Sequence, residues 1–307
     1  HKKKARNCTF RYFVEHRKEF PYSLNRMYEA LGISKQAVYK IVHREYRQKE
    51  EWLQLANIVR EVRRDHPTMG VRDIYYMARP ESIGRDRFEN FCRMNGLMSV
   101  RKVRRCHTTD SSGVVRFPDL SASRPITNIN QLWQSDITYF EVGGQFAYIT
   151  FITDRFSSRI VGYSTSERLF TEDTVRPALR KAVQTREGCD LSGLVFHSDG
   201  GGQYYSKDFL RDTEKLEFRN SMCTYPWENG LAERINGIIK NNYLVHWNIK
   251  SFKQLTKAVD RAVSLYNNKK PHVRLKRMTP VEYEKKLSLQ MSTAVPHEGT
   301  AVDICKG

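Results

Sequence analysis

The spacing of apolar residues changes near Leu132, and that change sets what each part of the chain can fold into. Before it, apolar side chains recur three and four residues apart, as on helices with one buried face. After it, they alternate or form short continuous blocks bounded by Gly, Asn and Asp, as in strands. At 307 residues the chain is long enough for two or more domains. The pattern predicts an all-helical N-terminal part followed by an α/β part.

Residues 1–50 read as a first helical unit. Leu24, Met27, Tyr28 and Leu31 share a helix face, Gly32 stops that helix, and Ser34 can cap the next. Ala37, Val38, Ile41 and Val42 form the apolar side of the second helix, which completes a helix-turn-helix pattern. Lys35, Gln36, Tyr39 and Lys40 fall on its other side, where they suit phosphates and base edges in a major groove. A second helical unit is expected over 51–98. Trp52, Leu55, Ile58, Val59 and Val62 make one stripe, and short helices follow over 71–78 and 85–94, the last carrying Arg85 and Arg87. Residues 99–130 read as a linker, whose basic run Arg101, Lys102, Arg104 and Arg105 can track a phosphate backbone.

From 131 to 248 the order of elements is β-β-β-α-β-α-β-α. Strands are expected at 133–140, 146–152, 159–163, 194–196 and 217–220, with Gly143-Gly144 turning the first hairpin. Helices are expected at 171–184, 206–215 and 228–243. This alternation predicts a mixed sheet flanked by helices, a class that places ligand sites at strand ends. Residues 249–307 add a helix over 252–266, a basic turn with Lys269 and Lys270, and a final helix. Thr279-Pro280-Val281-Glu282 forms the capping box of that helix, and a loose tail follows.

Three acids stand out within the α/β part. Asp136 lies in the first strand, Asp199 follows the fourth, and Glu233 lies in the first turns of a helix. If the first and fourth strands are neighbours, the two aspartates sit side by side and Glu233 closes the site from one flank. Like charges this close repel unless cations neutralise them. Oxygen ligands favour Mg²⁺ or Mn²⁺, and two such ions are the usual device for phosphodiester chemistry. Asn236 and Lys240 lie three and seven residues beyond Glu233, where they can meet a nucleotide and a phosphate, and Gln203 can turn toward the site or toward nucleic acid. Asp154 reads as a chain-turning or salt-bridging acid, and Glu228 as a helix-dipole partner.

A formal net charge of +18 calls for a polyanionic partner. The six cysteines form no Cys-x-x-Cys pair, no run is long and apolar enough to span a bilayer, and the basic first residues lack a signal peptide's apolar segment. A cytoplasmic, nucleoid-associated protein without membrane contact is expected.

The segments Gln131-Leu-Trp-Gln-Ser-Asp-Ile-Thr-Tyr, Phe196-His-Ser-Asp-Gly-Gly-Gly-Gln-Tyr, Asn229-Gly-Leu-Ala-Glu-Arg and Tyr266-Asn-Asn-Lys-Lys-Pro-His resemble the DDE transposase and retroviral integrase catalytic core. The second-frame proteins of IS3-type insertion sequences are the nearer match, and Val62-Arg-Arg-Asp-His-Pro-Thr-Met-Gly-Val-Arg resembles their helix-turn-helix region. The resemblance implies an RNase H-like fold over 131–248. It implies Asp136, Asp199 and Glu233 as ligands of two Mg²⁺ or Mn²⁺ ions, and cleavage at element ends followed by strand transfer through a 3′-hydroxyl. It also implies double-stranded DNA, both element ends and target, as partner, and a dimer or larger assembly to bring two ends together. The alternative is a non-catalytic helix-turn-helix regulator or an inactivated relative. One departure is that slightly fewer residues separate Asp199 from Glu233 than in the resembled pattern.

Overall fold

The computed structural model describes residues 8–10, 12–14, 16–99, 117–121, 125–223 and 226–293. The chain divides into two compact units, residues 1–61 and 62–307. In the first unit, helix α1 (Leu24–Leu31) is capped by Ser23, whose Oγ accepts from the Arg26 amide, and ends at Gly32 with φ +57°. That left-handed backbone is what glycine tolerates best. Ser34 Oγ accepts from the Ala37 amide at 3.2 Å and so starts helix α2 (Lys35–Asp65), as its sequence predicts. Phe10, Ile33 and Val38 form the small core of this unit, with Met27, Tyr28 and Leu31 against it.

The stripe from Trp52 to Val62 is not a separate helix. It continues α2, which runs unbroken for 31 residues, so the 50/51 boundary drawn from sequence falls inside a helix. No Gly or Pro interrupts Lys35–Asp65, and the polar stretch Arg44–Glu51 between the two apolar stripes consists largely of good helix formers. Helices α3 (Val71–Ala78) and α4 (Arg85–Met94) follow, burying Val71, Ile74, Phe88 and Cys92 and joined by an Arg72–Glu89 ion pair of 2.5 Å.

The α/β part holds a five-stranded sheet of β1 (Leu132–Val142), β2 (Gln145–Asp154), β3 (Ile160–Ser166), β4 (Val195–Ser198) and β5 (Arg219–Met222), in the order β3-β2-β1-β4-β5. The first three strands are antiparallel neighbours, and β4 and β5 run parallel to β1. This is the RNase H-like arrangement. Gly143 and Gly144, both at positive φ (+61° and +82°), make the tight turn between β1 and β2.

Strand alternation sends successive side chains to opposite layers. Phe151 joins helices α7 (Gly230–Asn242) and α8 (Phe252–Asn268) on one face, with Ile235, Ile239 and Leu255. Ile152 joins α5 (Val175–Thr185) and α6 (Lys207–Lys215) on the other, with Ala178, Leu179 and Phe209. Helix α5 lies close against β3, because a Cβ at Gly162 would stand 2.2 Å from the Ala178 carbonyl oxygen. It starts at Val175 rather than 171, since Thr171–Thr174 form turns held by Thr174 Oγ1 donating to the Phe170 carbonyl at 2.6 Å.

Helix α9 (Pro280–Thr293) opens on the expected capping box. The Thr279 amide donates to Glu282 Oε2 at 2.8 Å, and the Glu282 amide donates to Thr279 Oγ1 at 3.2 Å. Its Glu284 is buried against Arg186, which donates to both carboxylate oxygens at 2.7 and 2.6 Å. Arg159 and Ser157 add hydrogen bonds of 2.6 Å each, and Asp154 lies 3.6 Å from Arg186. Asp154 therefore turns the chain and pairs with a base, as expected from its sequence.

Candidate active site

The parallel pairing of β1 with β4 runs from Leu132 opposite Val195 to Ser135 opposite Ser198. The next residue on each strand is an acid. Asp136 continues β1 and Asp199 is the first residue past β4, so register alone sets the two carboxylates side by side on adjacent chains, which are about 4.8 Å apart in a sheet.

Alternation then decides which way Asp136 faces. It stands opposite Phe151 on β2, and paired residues share a face, so it points toward the α7 layer. The residues two apart on β1 do the same. Gln134 Nε2 donates to the Glu228 carbonyl at 3.1 Å, Thr138 Oγ1 accepts from Lys240 Nζ at 3.1 Å, and Phe140 enters the core with α7. Asp136 Oδ2 itself accepts from Asn236 Nδ2 at 2.6 Å. The odd-numbered residues face away: Trp133 and Ile137 pack in the other layer, and Ser135 shares a 2.9 Å hydrogen bond with the buried Tyr204 hydroxyl.

Helix α7 is stitched along this strand by one row of its own. Asn229, at its N-cap, donates to the Ser135 carbonyl at 3.0 Å, and Asn236 and Lys240 follow. Glu233 occupies the intermediate place in that row, at helical spacing from all three. It is exposed, and its charge acts on both aspartates.

The electrostatics mark the aspartates as unlike ordinary surface acids. Burial pushes the Asp136 carboxyl up to about 8; the charges of Asp199 and Glu233 add to the rise, while the Ile137 amide and Asn236 oppose it. Asp199 is raised by burial and by Glu233, against a hydrogen bond from the Gly201 amide at 3.2 Å. Gly200 and Gly201, after Asp199, allow close approach. A Cβ at Gly201 would stand 3.1 Å from Asp199 Oδ1, and one at Gly200 would stand 2.8 Å from the Met222 methyl.

The donor set fits hard divalent cations: carboxylate oxygens predominate, and the neighbouring Cys223 thiol is pushed up to about 12 by burial, so it offers no thiolate. Among the described residues no three His, Cys, Asp or Glu side chains are gathered at the spacing that holds an ion. Asp136 and Asp199 are adjacent, Glu233 is on the facing row, and the Asn236 amide engages Asp136.

The other residues singled out from sequence divide by environment. Lys35, Gln36, Tyr39 and Lys40 are exposed on α2, and Arg85 and Arg87 are exposed on α4. Arg101, Lys102, Arg104 and Arg105 lie outside the described residues. Asn236 and Lys240, expected to reach nucleic acid, are 6% and 7% exposed and turned onto β1, because their helical row is the one that seals α7 to the strand. Gln203 is half-buried and donates to the Leu169 carbonyl at 3.1 Å. Lys269 is exposed and lies 3.8 Å from Asp65, while Lys270 is half-buried. Sequence reading missed Gln134, Ser135, Asn229 and Tyr204, which fix the surroundings of the acids. Their only signal was proximity to the acids along the chain, since the partners are distant in sequence.

The chain is similar in sequence to several known proteins. The integrase core domain family matches residues 127–225, and a second integrase core domain family matches 215–280. The transposase for insertion sequence element IS629 from Shigella sonnei is 31% identical over 250 residues, spanning 78% of this chain and 80% of that protein. The insertion element IS600 uncharacterized 31 kDa protein, also from Shigella sonnei, is 27% identical over 270 residues, covering 85% of this chain and 98% of its own length. Among solved structures, the HTLV-2 integrase catalytic core domain in complex with magnesium aligns at a TM-score of 0.41 and 21% identity, covering 51% of this chain and 97% of that one. The extent of the IS629 match, together with the integrase core matches, shows that the chain belongs to the IS3-type insertion-sequence transposases, within the superfamily that shares the DDE integrase catalytic core.

Proposed function

We propose that this protein binds the ends of its insertion element, cuts DNA there, and joins the freed 3′-hydroxyl to a target. The observation that carries this reading is the register of β1 and β4, which sets Asp136 beside Asp199 where the parallel pairing of the two strands ends. Asp136, Asp199 and Glu233 would hold two Mg²⁺ or Mn²⁺ ions. Bound there, the ions would supply Lewis-acid activation of a water or 3′-hydroxyl and stabilise the leaving oxygen. The chain's own residues do the rest. Asn236 fixes the Asp136 carboxylate, the Gly201 amide fixes Asp199, and Glu233, free to reorient on the exposed side of its row, completes the set. The exposed side chains Lys35, Gln36, Tyr39, Lys40, Arg85 and Arg87 bind the element ends in the two helical regions, and the 99–130 linker follows the phosphate backbone. Two ends must be handled together, so the acting form is a dimer or larger assembly on DNA, at the bacterial nucleoid.

Nicking and strand-transfer assays with Mg²⁺ test this, with wild type compared to Asp199→Ala. The variant is expected to bind DNA and cut nothing; equal activity in both proteins removes Asp199 from the chemistry. A pre-cut end with a free 3′-hydroxyl separates the reaction types. Failure of wild type to join it to target, with hydrolysis retained, replaces strand transfer by nuclease action.

A further inference from the structure

Between β3 and α5, four consecutive residues, Glu167–Phe170, are exposed, and the backbone that carries them is tied down on every side. Ser166 Oγ donates to the Arg168 carbonyl at 2.7 Å and accepts from its amide at 2.9 Å. The Phe170 carbonyl accepts from Thr174 Oγ1 at 2.6 Å and from the Asp173 and Thr174 amides at 3.2 and 3.0 Å. Gln203 donates to the Leu169 carbonyl, and Thr171 Oγ1 donates back to the Gln203 carbonyl at 3.2 Å. A loop this well bonded still leaves Leu169 41% and Phe170 59% exposed. Apolar side chains held rigidly in water are pre-organised for a contact, because little ordering entropy is left to lose.

The loop's anchor is also the neighbour of the acids. Gln203 Oε1 and Asp199 Oδ1 lie 3.2 and 3.1 Å from the same point, the place a Cβ on Gly201 would take. The backbone next to Phe170 is therefore held, through the single side chain of Gln203, to the segment that carries Asp199. The charge environment of the ring limits what it can receive. Arg168 stands 5.6 Å from the ring centre but is paired with Asp173 at 2.8 Å, and Glu167 and Glu172 flank it. Such a patch repels phosphate, so a nucleic acid contacts it through the face of a base. A strand drawn down to half-buried carboxylates parts from its complement, and the freed base loses its stacking neighbour.

We propose that Phe170 is a substrate-positioning residue that stacks on an unpaired base beside the scissile phosphate, an inference that rests on the transposase reading. Arg168 backs the ring, and Gln203 sets its distance from Asp199.

The test uses the full chain and a forked DNA duplex with 2-aminopurine in the unpaired 3′ arm. Wild type should quench the probe. Phe170→Ala should bind the fork about ten-fold more weakly, lose the quenching, and keep both its melting temperature and the salt dependence of binding. Phe170→Trp should restore the quenching. Wild type that binds and nicks DNA without quenching, or Phe170→Ala that quenches as wild type does, overturns the stacking role and leaves the transposase reading standing. Wild type that neither binds nor nicks overturns both. Loss of self-association in Phe170→Ala, with quenching intact, reassigns the ring to a contact between copies of the chain.

Discussion

Two groups of acids lie against the same sheet, and the chain treats them differently. Asp154 and Glu284 are nearly inaccessible and are met by Arg186 and Arg159, with the Asn130, Phe156 and Ser157 amides completing Asp154. Burial pushes both carboxyls up; in Glu284 hydrogen bonds and charge from Arg186 outweigh it and leave the group below its ordinary value, while Asp154 stays raised despite its amide donors and Arg186. Asp136 and Asp199 have amide donors and each other; both are raised, and the lysine on the facing row donates to Thr138 instead. The first group is neutralised from within and belongs to the fold. The second retains its repulsion, which a cation bound between the two carboxylates would relieve.

The contrast can be broken experimentally, beginning with the largest effect. Asp136→Asn or Asp199→Asn should reduce Mg²⁺-dependent nicking on the order of 10³-fold or more without lowering the melting temperature. A fall in stability matching the fall in activity would make these acids structural. Next, Glu284→Gln or Arg186→Met should do the reverse. Removing one partner of a buried pair costs about 3–5 kcal/mol, a drop in melting temperature of about 10 °C, with residual activity per folded molecule retained.

Third, protein stripped of metal should be stabilised by Asp136→Asn at alkaline pH. The folded carboxyl titrates at about 8 and the unfolded one near 3.8, so the proton is held only by the folded state in that window. The stability that proton confers falls progressively from about pH 3.8 and is gone once pH has risen through about 8, and the asparagine variant should gain on wild type across that range and keep the gain above it in thermal melts. The smallest effect comes from His66, 4% exposed and 3.0 Å from the Tyr243 hydroxyl, whose pKa burial lowers to about 4. The unfolded chain takes up that proton near 6.5, so stability should fall between pH 6.5 and 4 by on the order of 2–3 kcal/mol. His66→Phe should flatten that slope while lowering the plateau.

How much of this was legible in sequence follows from the range of each interaction. Ser23, Ser34 and Thr279 act on amides three residues away, and Gly143-Gly144 acts on its own backbone, so local reading found or allowed each of them. Strand alternation places Asp136 in β1, while the pairing of β1 with β4, which the sequence leaves open, is met by the sheet order. What failed was orientation. Asn236 and Lys240 share a helical row with Glu233, and that row can equally face DNA or a strand; only the register of β1 against β2 decides it. The grip of Arg186 on Glu284 joins residues 98 positions apart, and no local pattern announces it. The continuous α2 was missed because a polar helix segment lacks the periodic apolar residues by which a helix is recognised.

The seat of Glu284 lies beyond residue 280, where the integrase core match ends. A ribosome that has translated α8 has already made Asp136, Asp199 and Glu233, yet among the described residues Arg186 then has only Asp154, at 3.6 Å, and lacks the carboxylate that takes both its amino groups. Closure of this part of the core then waits for α9 to emerge, and a product terminated before α9 should be degraded faster than one that includes it.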